Sequence, residues 1–273
     1  MLAVVGDVLE DIVVRLATAP VVGTDAPALI ERRRGGSAAN VAAAAASAGA
    51  AVRFIGCVGQ DWLGERLAHE LRAVGVDVRV QRRGRSGSVV VLVGPDGERT
   101  MLPDRGAATS LVDVDGAWLD GVTWLHVPSY SLLSEPIGTA TRRLVTVLRR
   151  RGGGLLSIDV SSVAIVETYG VDRYHDLLGE LVPDVVFANE SESRLLPIAV
   201  AGVVVVKDGP RPVRVHGPCD TFAVEVPTLP DVADTTGAGD AFAGGFLAAK
   251  LRGGDDRAAA AAGIESAATV LQR

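Results

Sequence analysis

Six short runs in this chain are apolar at nearly every position rather than at every second one: "LAVVG" (2–6), "VRFIGCV" (52–58), "VTWLHV" (122–127), "LLSIDV" (155–160), "DVVFAN" (184–189) and "VVVVK" (203–207). A strand that is apolar on both faces has to be covered on both faces. That is the condition of a parallel sheet with helices above and below it, not of a sheet with one wet side. The segments between these runs supply the helices, over 37–49, 62–75, 135–151 and 172–181, and two more over 238–252 and 255–271 close the chain. In "WLGERLAHELRAVG", for example, Leu63, Leu67, Leu71 and Val74 return at helical spacing. The alternation predicts an α/β fold with a mostly parallel central sheet flanked by helices.

Two segments break that rhythm, at about 11–33 and 77–105. They carry "DIVVRL", "PALIERR", "DVRVQRR" and "GSVVVLVGPDGERTML", the last with a hairpin turn at Pro95-Asp96-Gly97-Glu98. Both read as strands of a small sheet that projects from the main body as a lid. No repeat and no disordered linker interrupts the chain, and 273 residues at 48% hydrophobic composition can share one core, so 1–273 is read as a single domain.

Composition removes several classes of function. A net charge of −6 gives no general basic field for nucleic acid, and the arginine clusters at 32–34, 82–83 and 149–151 are short and scattered. Cys57 and Cys219 are too few for a disulfide framework. "MLAVVGDVLED" lacks the basic start of a signal peptide, "VAAAAASAGAAV" is too weakly apolar for a membrane span, and "IAVAGVVVV" is too short. The expectation is a soluble, cytoplasmic protein with no nucleic-acid or membrane partner. The exposed edges of the lid strands invite pairing into a homodimer.

The chain has no P-loop, HExxH, CxxC or GxSxG motif. The chemistry-bearing stretch is "DVADTTGAGDAFAGGFLAA" (231–249). Gly237, Ala238 and Gly239 lead into a helix whose first N–H groups lack intrahelical partners and so attract anions, and Asp240 stands beside them as a carboxylate base. The plainer alternative is a glycine loop with Thr235, Thr236 or Asp240 as helix cap. A second stretch, "RRGGSAANVAAAAASAG" (33–49), places Gly35-Gly36 and Asn40 at another helix start. Its alternative reading is an alanine-rich packing helix after a turn.

Taken together, "GGSAAN", "GQDWLGE" and "DTTGAGDAFAGGF" resemble the paired signatures of the PfkB (ribokinase-like) family of carbohydrate kinases, in the same order and over nearly the whole chain. The resemblance implies a Rossmann-like ribokinase fold and phosphorylation of a hydroxyl, in the main a primary one, of a small sugar or sugar derivative, with ATP and Mg²⁺. It makes Asp240 the general base and the 237–240 backbone amides, those of Gly237, Ala238 and Gly239 above all, the anion hole. Asp11, Gly36 and Asn40 fall on substrate contacts, Asp11 having the alternative of a plain charge on an edge strand. Asn189 and Glu192 in "FANESE" match an element that organises water and Mg²⁺ around the nucleotide phosphates. Lys207 and Gly209 fall near the nucleotide, Lys207 alternatively being a strand-end charge. Asp234 matches a residue near a monovalent cation, K⁺, or else caps an Asx turn.

The departures from the family lie on the nucleotide side: a shortened 193–206 region and Pro212 where relatives often have a glycine. Two alternatives stay open: a nucleoside kinase of the same family, and a sugar-binding regulatory protein without turnover. The lack of aromatic residues in 11–33 and 77–105 favours a sugar over a stacked base, and Arg99 and Arg105 could meet an acidic sugar or merely be solvated.

Overall fold

The computed structural model describes residues 1–197, 200–230, 232 and 234–272. Ile198 and Ala199 of the apolar run, and Asp231 and Ala233 of the glycine motif, lie outside the described residues. The first half holds β1 (Leu2–Val5), β2 (Leu9–Leu16), β3 (Ala28–Gly35), α1 (Ser37–Ser47), β4 (Val52–Val58), α2 (Trp62–Ala73), β5 (Asp77–Arg82), β6 (Ser88–Val93), β7 (Arg99–Asp104) and β8 (Trp124–Pro128). The second half holds α3 (Tyr130–Leu133), α4 (Ile137–Arg150), β9 (Leu155–Asp159), α5 (Val163–Tyr169), α6 (Val171–Leu181), β10 (Val185–Asn189), α7 (Glu190–Ser193), β11 (Val203–Asp208), β12 (Arg211–His216), β13 (Thr221–Val224), α8 (Ala238–Leu251) and α9 (Asp256–Leu271).

The main sheet runs β13-β12-β11-β10-β9-β8-β1-β4-β5. From β5 to β11 every pairing is parallel, and β12 and β13 add an antiparallel edge. β1 shows why its strands are apolar throughout: Leu2 and Val4 join one core with α1, α8 and α9, while Ala3 and Val5 join the other with α4 and α6. Among the described residues no helix is long and apolar enough to cross a membrane.

The second sheet, β3-β2-β6-β7, is the lid. β2 and β6 pair in parallel, each with an antiparallel outer neighbour. Its inward face carries a small core of Leu9, Val13, Val89, Val91 and Val93. The structure corrects the assignment of 77–83: Asp77–Arg82 is the edge of the main sheet, parallel to β4, because the α2 crossover returns the chain in the β4 direction. The lid's second contribution therefore starts at Ser88.

Small residues decide how the site assembles. A Cβ on Gly244 would lie 2.7 Å from Ala44 Cβ and 2.8 Å from Val41 O, so only glycine lets α8 press against α1. This contact brings the starts of two helices, more than 200 residues apart in sequence, to one place.

Candidate active site

Asp240 sits in the first turn of α8, with both carboxylate oxygens held from α1. Ser37 Oγ donates to Oδ1 at 2.7 Å and Asn40 Nδ2 to Oδ2 at 3.0 Å. Burial pushes the carboxyl up to about 7 and the negative field of Asp159 adds to it, against the two donors and Lys207. A base poised near 7 suits proton abstraction at neutral pH. Asn40 thus reaches the carboxylate itself, while its own Oδ1 accepts from Arg34 at 3.3 Å. Ser37 was not singled out in the sequence; a serine at the first position of the glycine-preceded helix is the only sign of it.

Gly237 caps α8 and its carbonyl accepts from Ala241 N at 2.8 Å. The Ala238 amide closes a turn onto Thr235 O at 3.2 Å, so this expected anion-hole donor is already engaged. The Lys207 ammonium approaches the same turn: a Cβ on Gly239 would lie 3.3 Å from Nζ.

Lys207, at the end of β11, donates to Asp159 Oδ2 at 2.7 Å. Burial alone would lower its pKa, but the Asp159 carboxylate outweighs that and holds it above the ordinary value. Asp159 is the last residue of β9 and also accepts from Ser161 N at 2.8 Å. It went unnoticed in the sequence, although an acid at the carboxyl end of a parallel strand is where such sheets bind ligands. Asn189 and Glu192 form a capping box on α7: Asn189 Oδ1 accepts from Glu192 N at 2.9 Å and Glu192 Oε2 from Asn189 N at 2.8 Å. Burial, reinforced by Asp159, pushes the buried Glu192 carboxyl up.

These groups line one cavity of about 770 Å³. Asp240, Gly237 and Gly239 lie on it with Lys207, Asn189 and Glu192, and Gly209 and Pro210 of the β11–β12 turn form part of the rim. An apolar wall of Val226, Leu229, Ile264 and Leu271 continues it. The short 193–206 connection therefore does not remove the apolar side, which is built from residues after β13 and from α9.

Asp11 and Gly36 lie on the lid side, outside that lining. Gly36 has φ +99°, and a Cβ there would come within 2.6 Å of Asp7 O, so the residue must be glycine for α1 to start against the β1–β2 turn. Asp11 is buried, which pushes its carboxyl up against the pull of Arg33. Asp7, another acid the sequence did not single out, accepts from Arg105 at 2.9 Å and from Ala38 N at 3.3 Å. Arg105 lies 4.1 Å above the Tyr130 ring, so it is a packed residue rather than a solvated one.

Asp234 Oδ1 accepts from Thr236 N at 2.8 Å, the Asx turn among the two alternatives. The lid adds arginines: Arg99 Nη1 at 3.1 Å from Oδ1, Arg33 Nη2 at 3.0 Å from Oδ2 and Arg15 Nη2 at 3.9 Å. Burial would raise this carboxyl, but the Thr236 donors and Arg33 hold it down to about 2.

The model of the pfkB family of carbohydrate kinases matches residues 1–273. The ATP-dependent ribose-1-phosphate kinase of Halopiger xanaduensis is 31% identical, over 92% of this chain and 84% of that protein. Among solved structures, the adenosine kinase from Sinorhizobium meliloti superposes with a TM-score of 0.88 at 24% identity, covering 100% of this chain and 94% of that one. An E. coli protein described as a ribokinase II candidate, solved with ATP and Mg²⁺, superposes with a TM-score of 0.86 at 24% identity, over 100% and 92% of the two chains.

Proposed function

The chain belongs to the pfkB family of carbohydrate kinases and is a phosphotransferase acting on a hydroxyl group, and from that premise we propose that it transfers the γ-phosphoryl of ATP to a primary hydroxyl of a small sugar or sugar derivative, with Asp240 as general base. One observation carries this reading. A carboxyl raised to about 7 stands in the first turn of α8, both oxygens anchored, on a cavity shared with the glycine turn and Lys207.

Phosphoryl transfer passes through a loose transition state, so the protein contributes mainly position and charge. Ser37 and Asn40 aim the Asp240 carboxylate, which takes the proton as the acceptor oxygen attacks. In this reading the amides of Gly237 and Gly239 stabilise the charge that develops on the transferred group, and the Lys207 ammonium lies beside Gly239. Asn189 and Gly209 flank the nucleotide, whose base lies against the apolar wall of Val226, Leu229, Ile264 and Leu271.

Among the described residues no three acidic, His or Cys side chains gather into a metal cage. That suits Mg²⁺, which keeps several waters and takes one or two carboxylates together with phosphates. Glu192 is the carboxylate on the cavity that fits it, through water because its Oε2 is committed to Asn189 N, whereas both Asp159 oxygens are engaged, by Lys207 and by Ser161 N. An ion held there would supply positive charge to offset the charge that develops on the transferred phosphoryl group. Nothing in this scheme calls on potassium.

The acceptor side favours a sugar over a nucleoside. Tyr130, a ring on the cavity that could stack a base, is covered by the Arg105 guanidinium. Asp11 and Gly36 border the acceptor, and Asn40 reaches it through Asp240. The two free cysteines fit a cytoplasmic setting. The outward lid face, with Ile30 and Leu102 exposed and Val14, Val90 and Leu92 half-buried, fits a homodimer through the lid.

The test is Mg²⁺-dependent ADP release across sugars, sugar phosphates, sugar acids and nucleosides. Turnover with one sugar class supports the proposal. Turnover with nucleosides alone, or measurable sugar binding with no turnover from any donor, overturns it in favour of the two alternatives.

A further inference from the structure

We propose that the lid arginines Arg33 and Arg99 occupy, at Asp234, the place of a monovalent cation, so that docking of the lid rather than potassium sets the Asp234–Gly237 turn beneath the transferred phosphate. A cation at Asp234 needs free carboxylate lone pairs and no positive neighbour. Here Oδ1 accepts from Thr236 N at 2.8 Å and lies 3.1 Å from Arg99 Nη1, Oδ2 lies 3.0 Å from Arg33 Nη2, and Arg15 Nη2 stands at 3.9 Å. Arg33 and Arg99, with Arg15 at longer range, already supply the positive charge, and the two nearer groups turn N–H donors onto the oxygens a cation would need. The residues present do not fit K⁺.

The three arginines come from three lid strands, β2, β3 and β7, whereas Asp234 and Thr236 belong to the turn that leads into α8. The same Arg99 also donates to Thr236 Oγ1 at 3.1 Å, so it grips the turn at two points. On the opposite side, buried Glu10 of β2 is tied to Arg66 of α2 at 2.6 Å and to Arg32 at 2.7 Å. The root of the lid is thus anchored to the body by Glu10. Its other side reaches the phosphate turn through partly exposed side chains, Arg33 at 40% and Arg99 at 27%. Arg33 and Arg99 are positioning residues: they touch Asp234 and Thr236, and through them fix the amides of Gly237 and Gly239.

The inference rests on the kinase reading for its activity arm alone, so the test has a second arm that needs no turnover. In the first, thallous ion serves as a potassium probe, its ²⁰⁵Tl resonance followed on titration with wild type, Arg33→Gln/Arg99→Gln and Asp234→Asn. No saturable broadening by the wild type, and its appearance in the arginine double variant, support the proposal. Saturable broadening by the wild type that Asp234→Asn removes overturns it. In the second arm, ADP release with D-ribose, D-fructose and ribose 1-phosphate is measured with potassium, sodium or choline as the monovalent ion at constant ionic strength. The proposal expects wild-type rates equal within about 1.5-fold. It also expects a fall in kcat of tenfold or more in the double variant, with sugar KM little changed and part of the loss restored by potassium. Activation of the wild type fivefold or more by potassium overturns it, as does a double variant with wild-type kcat. Failure of every acceptor would strike the kinase reading and leave the thallium arm to judge the latch.

Discussion

Asp240→Asn should make the protein more stable while it removes turnover, and the gain should depend on pH. The carboxyl's folded value of about 7 stands against an ordinary value of 3.8. Below pH ~4 both folded and unfolded chains hold the proton, and the site costs nothing. Between ~4 and ~7 the unfolded chain ionises first, so the folded state binds more protons and stability falls as pH rises. Above ~7 the whole penalty is present. At ~1.4 kcal/mol per pH unit, the span amounts to ~4 kcal/mol.

Asparagine is close to isosteric at this position. With its oxygen toward Asn40 Nδ2 and its amide toward Ser37 Oγ it keeps both hydrogen bonds, because the serine hydroxyl accepts as readily as it donates. Little of the gain is lost to broken contacts. Urea unfolding of wild type and variant at pH 5 and pH 8 measures the difference. The variant's advantage should grow by about 2–4 kcal/mol between the two pH values. An advantage independent of pH, or a variant less stable at pH 8, would refute the claim that burial strains this carboxylate.

Ser37→Ala removes a donor that lowers the Asp240 pKa, so the acid limb of the kcat/KM profile should move to higher pH, with kcat at pH 7 down about tenfold, as a pH-rate series would show. Lys207→Met leaves the buried Asp159 carboxylate unpaired and should cost about 3–5 kcal/mol in denaturant unfolding. Adding Asp159→Asn should restore most of that stability but no activity. Gly36→Ala places a Cβ 2.6 Å from Asp7 O at φ +99°, and should lower stability by a few kcal/mol with loss of turnover. Thermal unfolding followed by circular dichroism gives the first reading.

Strand positions in the main sheet were legible because burial on both faces leaves an uninterrupted apolar run, as in Val203–Val206 and Leu2–Val5. β5 was misplaced because an edge strand does not need that run: Asp77, Arg79 and Gln81 alternate with Val78 and Val80, as they would in a lid. β12 was missed for a similar reason, with Val213 and Val215 buried between arginines and Pro212. Asp240, Asn40, Asn189 and Glu192 stood out because each lies in a short motif that resembles a family signature, and the structure sets Asn40 on Asp240 and joins Asn189 to Glu192 in one capping box. Asp7, Asp159 and Ser37 did not stand out, since each matters through a partner from a distant part of the chain. The pairing of Arg33 and Arg99 with Asp234 belongs to the same kind: it spans 201 residues for Arg33, and no local pattern announces which acid a surface arginine will meet.

The whole mechanism turns on Asp240 as the proton acceptor. Its most direct test is the rate of ADP formation by Asp240→Asn with saturating sugar and MgATP, beside the calorimetric affinity of the same variant for nucleotide. A general-base role requires a fall in kcat of about 10²–10⁴-fold, with nucleotide Kd within about threefold of wild type. A variant that turns over within tenfold of wild type would contradict it.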